Sequence, residues 1–423
     1  MTPDAERPVR LLQVVHAYPP SLGGVQLAVR DLCERLLSDY GFRVTVLTTN
    51  VHTTLSFRDS SLPTIPIDPD EVQNGVRVRR FPVETKWALA LEHLQRIAYH
   101  LRLPGNSRLR TLFSGPISPH LLRATCEEPA DVICAASFPF NHLRYPFRRP
   151  KPRPPIVLVG AIHTENRWSY HRPDLIRLID DSYAIVVHSE HERGWLVEQG
   201  APPDRIRVIV HGIEIRDRRP ERGTFRRRLG IAPDAFVVAY VGQQGPHKGI
   251  DTLLRVLPHL REQGKNARLV VAGAQSPYSS VLRALVRELP EDARTHVDLL
   301  DDVSDAQKAE ILTDCDVFAS PSEEESFGIT TLEAWAHEKP VVLGSSPGQK
   351  SVVDDGALGL LVPHGDERRL LQALVALADD EPLRTRLGRA GHERLLARHD
   401  LSQVVAQYHE LFTDAARARP TPP

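Results

Sequence analysis

Short runs of mostly apolar residues recur along the chain, each closed by a glycine-bearing or polar loop. Most are followed by a segment whose apolar residues stand three and four apart. An unbroken apolar run marks a strand buried on both faces, and the three–four spacing marks a helix with one buried stripe. Residues 9–15 predict the first strand, and the loop 19–24 (Pro-Pro-Ser-Leu-Gly-Gly) follows it. A helix carrying Val25, Ala28, Val29, Leu32, Leu36 and Leu37 comes next, then a second strand at 43–48. Strand, loop, helix, strand is a βαβ unit, with parallel strands and a right-handed crossover. Further strands are predicted at 132–135, 156–160, 184–188 and 206–209.

The alternation restarts after a polar, proline-bearing stretch at 214–230. Strands are predicted at 236–241, 267–273, 297–300, 317–320, 340–343 and 359–362, with helices at 249–261, 330–337 and 366–399. This is an α/β pattern, and it predicts two doubly wound Rossmann-like domains facing a cleft. The boundaries expected are 1–214, 215–395, and a C-terminal piece 396–423 whose helix crosses back to the first domain and whose tail, from 417, is disordered. Residues 55–118 are irregular and predict no element.

Composition narrows the function classes. With 423 residues, 41% hydrophobic and 25% charged, the chain has an ordinary globular make-up with room for two or three domains. A formal net charge of -1 speaks against a global field for nucleic acid or membranes. Cys33, Cys126, Cys134 and Cys315 stand far apart with no Cys-x-x-Cys pair, which predicts buried reduced thiols rather than a metal site or a disulfide framework. Residues 1–8 are polar and no apolar run reaches membrane-spanning length, so a cytoplasmic protein is expected. Charge is nonetheless uneven, with 14 basic against 5 acidic residues from Val76 to Arg153, interspersed with Trp87, Tyr99 and Phe113. That stretch fits peripheral contact with anionic lipid at the inner membrane face, an anionic acceptor, or simply a solvated arginine-rich face.

The most informative chemistry lies at 320–335, where Glu325 and Glu333 stand eight positions apart around Phe327-Gly328-Ile329. The glycine predicts a tight turn opening a helix, whose first amide N–H groups have no intrahelical partner and suit a phosphate. The carboxylates suit sugar hydroxyls. A solvated acidic loop ahead of a helix fits the same residues. Gly23-Gly24 after the first strand is not the Gly-x-Gly-x-x-Gly of dinucleotide folds. His163, Lys248 and His211-Gly212 each fall just beyond a predicted strand, where ligands bind in doubly wound sheets.

Taken in order, these features resemble the retaining glycosyltransferases of GT-B fold, family 4 in the sugar-enzyme classification. The carriers are the Glu-x7-Glu pair, the run Glu333-Ala-Trp-Ala-His-Glu-Lys-Pro-Val-Val and the stretch from Val352 to Val362. The resemblance implies that Glu333 holds the nucleotide ribose and Glu325 faces the donor sugar. Phe327, Gly328, Ile329 and Thr330 would bind sugar and phosphate through the turn. It places Lys248 on the diphosphate, Gly24 near diphosphate and acceptor, and His163 at the donor sugar. Gln243 stands where the family has an arginine on the departing diphosphate, and Asp301 where it usually has glycine in the nucleotide-base loop. The implied reaction moves a hexose from a nucleoside-diphosphate sugar to a hydroxyl of a glycan, lipid or small molecule, with retention and without a metal. A sugar phosphorylase or nucleotide-sugar epimerase on the same fold, or a non-catalytic sugar-nucleotide binder, are the alternatives.

Overall fold

The computed structural model describes residues 7–21, 23–215 and 219–418. The chain forms two compact units, Met1–Val210 with Ser402–Pro423, and His211–Leu401. The tail expected to be disordered lies, from residue 419 on, outside the described residues.

Among the described residues the first unit carries an eight-stranded sheet in the order β3-β4-β2-β1-β5-β6-β7-β8. Its strands are β1 Arg10–Val14, β2 Arg43–Thr49, β3 Val72–Gln73, β4 Val76–Phe81, β5 Val132–Ala136, β6 Ile156–Val159, β7 Ala184–Val187 and β8 Ile206–Val208. All pair in parallel except β3, which runs antiparallel on the edge. The second unit has a six-stranded parallel sheet ordered β11-β10-β9-β12-β13-β14. Here the strands are β9 Phe236–Val241, β10 Ala267–Gly273, β11 Val297–Asp301, β12 Val317–Ser320, β13 Val341–Gly344 and β14 Leu360–Val362. β5, β7, β9, β12 and β13 are buried at every position, because helices cover both faces of the sheet. Each of these leucine, valine or isoleucine side chains contributes ~1.5–3 kcal/mol on leaving water.

In both sheets the strand order reverses once, between β1 and β5 and between β9 and β12. Loops leaving the two strands at such a reversal diverge to opposite faces, and a crevice opens beyond their carboxyl ends. The loops after β1, β9 and β12 therefore lie at these switch points, and they carry Gly24, Lys248 and Glu325.

Three expectations change. The segment 55–118 contains β3, β4 and the helices Ala88–His100 and Asn106–Ser114. β4 reads Val-Arg-Val-Arg-Arg-Phe, and its buried Val76 and Val78 alternate with arginines, so its polarity masks a strand that pairs with β2 along five residues. The helix expected over 366–399 is two helices, Glu367–Asp379 and Glu381–Arg398. Pro382 has no N–H to extend the first, and Asp380 caps the second by accepting from the Leu383 N–H at 2.8 Å. The basic stretch is not a single face. Arg80 is buried with both Nε and Nη2 on Glu71 (2.8 and 2.7 Å), Arg144 pairs with Asp174 at 2.8 Å, Arg153 with Asp181, and Arg79 with Glu128. All four cysteines are unpaired thiols, and Cys126 alone is not fully buried.

Five histidines are held neutral by burial. It pushes His16 down to about 3, and His142, His188, His337 and His399 down to about 4. An unfolded chain protonates each near pH 6.5. Their contribution to stability is thus complete above 6.5 and is lost as pH falls towards 4. Glu192, which burial raises to about 7, acts in the opposite sense, since its protonation between 7 and 4.5 favours the folded state. Five groups outweigh one, so the urea midpoint should be lower at pH 5 than at pH 7.5. A midpoint that is unchanged or higher at pH 5 would contradict the buried neutral histidines.

Candidate active site

β9 leads through Gly242 into a short loop, the single turn Pro246–Lys248, and then the helix Ile250–Glu262. Gly249, at φ 70°, caps that helix, and a Cβ there would lie 2.4 Å from the carbonyl oxygen of Pro321 in the loop after β12. The two loops can therefore touch only because residue 249 has no side chain. A hydrogen bond from the Glu323 N–H to the His247 oxygen (2.8 Å) ties them together.

This contact brings Lys248 and Glu325 into one place. Lys248 Nζ lies 2.7 Å from Glu325 Oε2, and both side chains are mostly buried. Behind Glu325 the helix Pro347–Val352 approaches so closely that a Cβ on Gly348 would stand 2.1 Å from the Glu325 oxygen and 2.3 Å from that of Ser326. Gln349 Nε2 donates to the Ser320 oxygen at 2.9 Å and holds the start of the same loop. Gly328, left-handed at φ 87°, then opens the helix Ile329–Ala336 as expected from its sequence, with Ile329 and Thr330 in the first turn. Glu333 sits in the next turn, and its Oε1 accepts from Lys308 Nζ at 2.5 Å. Phe327 points inward, buried between the rings of His211 (5.0 Å) and His399 (5.6 Å).

Gln243 follows Gly242, and its carbonyl accepts from the Tyr240 hydroxyl at 2.8 Å. Asp301, at the end of β11, is already engaged: Arg283, Gln275 (3.0 Å) and Gln244 (3.3 Å) all donate to it. The second unit thus assembles Lys248, Glu325, Phe327, Gly328, Ile329, Thr330 and Glu333, all predicted from sequence. It adds Lys308, Gly348 and Gln349, which spacing could not reveal.

The first unit holds Gly24 and His163. Gly24 begins the helix Gly24–Tyr40 beyond β1, and the loop leading to it is anchored by Arg80, which donates to the Tyr18 oxygen at 3.2 Å and to that of Pro19. His163 follows β6, with its ring 5.1 Å from that of Tyr170. The residue before it is pinned by a buried carboxylate: Glu192 Oε1 accepts from the Ile162 N–H at 2.6 Å, while Oε2 accepts from those of His188 and Ser189. Glu192 thereby bridges the ends of β6 and β7. Its spacing in sequence shows only half of this, a Ser189–Glu192 capping box.

Comparison with known proteins agrees with this organisation. Residues 221–394 match the family described as glycosyl transferases group 1, and residues 23–212 match the glycosyl transferase 4-like domain. A D-inositol 3-phosphate glycosyltransferase of Corynebacterium efficiens is 32% identical over 255 residues, covering 57% of this chain and 59% of that protein. The chain spans little more than half the length of the curated relatives it matches. In fold it is similar to sucrose-phosphate synthase from Thermosynechococcus elongatus, with a TM-score of 0.71 at 19% identity over 96% of this chain and 98% of that one. It is also similar to Anabaena HepE, solved with UDP and glucose, with a TM-score of 0.66 at 16% identity over 96% and 100%.

The cradle behind Glu325 is open to test. Gly348→Ala should cost ~1–3 kcal/mol by forcing the Glu325–Ser326 backbone outward. Gly194→Ala, a helical glycine with open space around it, should be neutral or stabilise by up to ~1 kcal/mol. Equal urea midpoints for the two variants would mean that the loop is not braced by this contact.

Proposed function

The chain belongs to the group 1 glycosyl transferases, and on that basis we propose that it moves a hexose from a nucleoside-diphosphate sugar to a hydroxyl, with retention of anomeric configuration. The observation that carries this reading is the ion pair between Lys248 and Glu325, set beside the turn at Gly328. A diphosphate offers Lys248 a stronger partner than one carboxylate. Once Lys248 turns to the phosphate, Glu325 is free to accept hydrogen bonds from sugar hydroxyls. The amides of the turn and of the helix Ile329–Ala336 add donors for the anion. Glu333, oriented by Lys308, takes the ribose hydroxyls. UDP is the first nucleotide to try, since Anabaena HepE was solved with UDP and glucose.

In this reading the bond from the anomeric carbon to the diphosphate oxygen breaks as the acceptor oxygen bonds to that carbon on the same face. The acceptor's proton passes to the departing diphosphate. The barrier lies in separating a charged leaving group, and fixed positive charge that meets it lowers that barrier. Lys248 supplies that charge, while Gln243, in place of the family's arginine, adds at most a neutral hydrogen bond, about half as strong as a charge-assisted one. The two glutamates serve opposite ends of the donor, which separates them from the paired carboxyls of a retaining hydrolase. No metal enters the scheme. Gly24 and His163 keep the roles that the family resemblance implies, at the diphosphate and the donor sugar. The relatives named for D-inositol 3-phosphate make cyclic polyol phosphates the first acceptors to screen, ahead of glycan and lipid hydroxyls.

The test is release of nucleotide from UDP-, GDP- and ADP-sugars, with and without acceptors. Lys248→Ala should lower turnover by about 10²–10³ and weaken UDP binding. Glu325→Gln should lower turnover but leave UDP binding equal or tighter, because no ion pair has to open. Gln243→Arg should raise turnover. If no donor is consumed, and Lys248→Ala and Glu325→Gln bind UDP-sugars as the wild type does, transfer is excluded. Binding without turnover in the wild type would favour a non-catalytic sugar-nucleotide protein.

A further inference from the structure

Exposed apolar side chains are ordinary when scattered and informative when gathered. Half of the exposed large apolar residues among those described fall between Trp87 and Leu103, on and around the helix Ala88–His100. Leu89 is 73% exposed, Leu101 65%, Ile97 55%, Trp87 55%, Leu94 53% and Leu103 43%. Leu94, Ile97 and the C-cap residue Leu101 follow one another at i, i+3 and i+7, so they form one stripe along the helix and its C-terminal end. Gln95 and Ala98, on the inward side, are the residues of this helix that are buried. The stripe is thus the outer face of a helix whose inner face is already used.

Its surroundings are basic. Lys86 just ahead of this helix, Arg96 on it, Arg102 in the turn after it and Arg108 on the next helix are all exposed, with Glu84 paired to Lys86 and Glu92 to Arg96 while Arg102 and Arg108 carry the excess. Most other arginines of the same stretch are committed internally, among them Arg79, Arg80, Arg144 and Arg153. Four of the eight exposed basic residues of the stretch thus stand about this helix, the others being Arg77, Arg123, Arg148 and Lys151. An apolar stripe edged by a tryptophan and flanked by lysine and arginine is the make-up of a helix lying in a membrane interface. The apolar side chains enter the acyl boundary, and the cations meet anionic headgroups. No helix among the described residues is long and apolar enough to cross a membrane, so such a contact is peripheral. We propose that the face formed by Leu94 and Ile97 of the helix Ala88–His100 and by Leu101 at its C-cap, with Trp87 beside it, docks on a bilayer surface containing anionic lipid.

The experiment is co-sedimentation of the full chain with vesicles of phosphatidylcholine plus phosphatidylglycerol, and with phosphatidylcholine alone, at low and high salt. Wild type should bind the mixed vesicles at low salt, bind pure phosphatidylcholine far less, and be partly released by salt. Leu94→Glu with Ile97→Glu should reduce the bound fraction at least tenfold. Both side chains are exposed and outside the donor loops, so the helical circular dichroism and nucleotide binding of this variant should match wild type. Arg102→Glu with Arg108→Glu should lose the preference for anionic vesicles but leave a weak, salt-insensitive remainder. Equal binding by Leu94→Glu/Ile97→Glu and wild type, or no binding by wild type, overturns the proposal. It is also overturned if wild type ignores vesicles and forms a dimer that the double glutamate variant dissociates, which would make the stripe a contact between copies.

Discussion

Backbone runs against backbone at the carboxyl ends of β9 and β12, and much of the candidate site depends on that approach. Gly249 meets the Pro321 carbonyl, and Gly348 meets those of Glu325 and Ser326, at distances that leave no space for a Cβ. Protein interiors are packed too densely to absorb such a clash cheaply. The consequence reaches the chemistry directly. With the loops in contact, a lysine from one and a glutamate from the other meet at 2.7 Å, at the point where the strand order reverses.

Charge in this region is balanced in pairs. Glu325 is matched by Lys248 and Glu333 by Lys308, so neither partly buried carboxylate stands as an isolated charge. Removing one member of such a pair leaves the other uncompensated, which costs more than the pair contributes. An anionic ligand can exchange one partner for another without that penalty. In the proposed function a phosphate would be that ligand, taking Lys248 from Glu325. Glu192 does related work in the first unit, with a single carboxylate satisfying backbone N–H groups from the ends of two neighbouring strands.

The arginine-rich stretch shows how misleading a local charge count can be. Read along the chain, it is a basic patch. In the fold, Arg80 becomes the anchor of the loop ahead of Gly24, and Arg144 and Arg153 are internal braces. What reaches the surface is eight of its 14 cations, four of them about an apolar helix face. The net excess of cations therefore says little about which of them face outward beside apolar side chains.

The alternation of strands and helices was legible in the sequence because burial on both faces requires unbroken apolar runs, as in β9 and β12. The turn at Gly328 and the carboxylates on either side of it were legible too, since a turn and the helix it opens are built from neighbours in the chain. β4 is hidden in the sequence because its arginines find carboxylates elsewhere in the fold, Arg80 on Glu71 and Arg79 on Glu128, and the long C-terminal helix breaks at Pro382 against its apolar period. Lys308, Gly348 and Gln349 carried no signal, because their meaning lies in partners 22 to 29 residues away that only the sheet order brings near. Local period and turn chemistry thus determined the two-sheet architecture and picked out the loops after β9 and β12. Tertiary packing alone decided which charges face each other and which remain at the surface, because those pairings depend on distances that a linear chain does not contain.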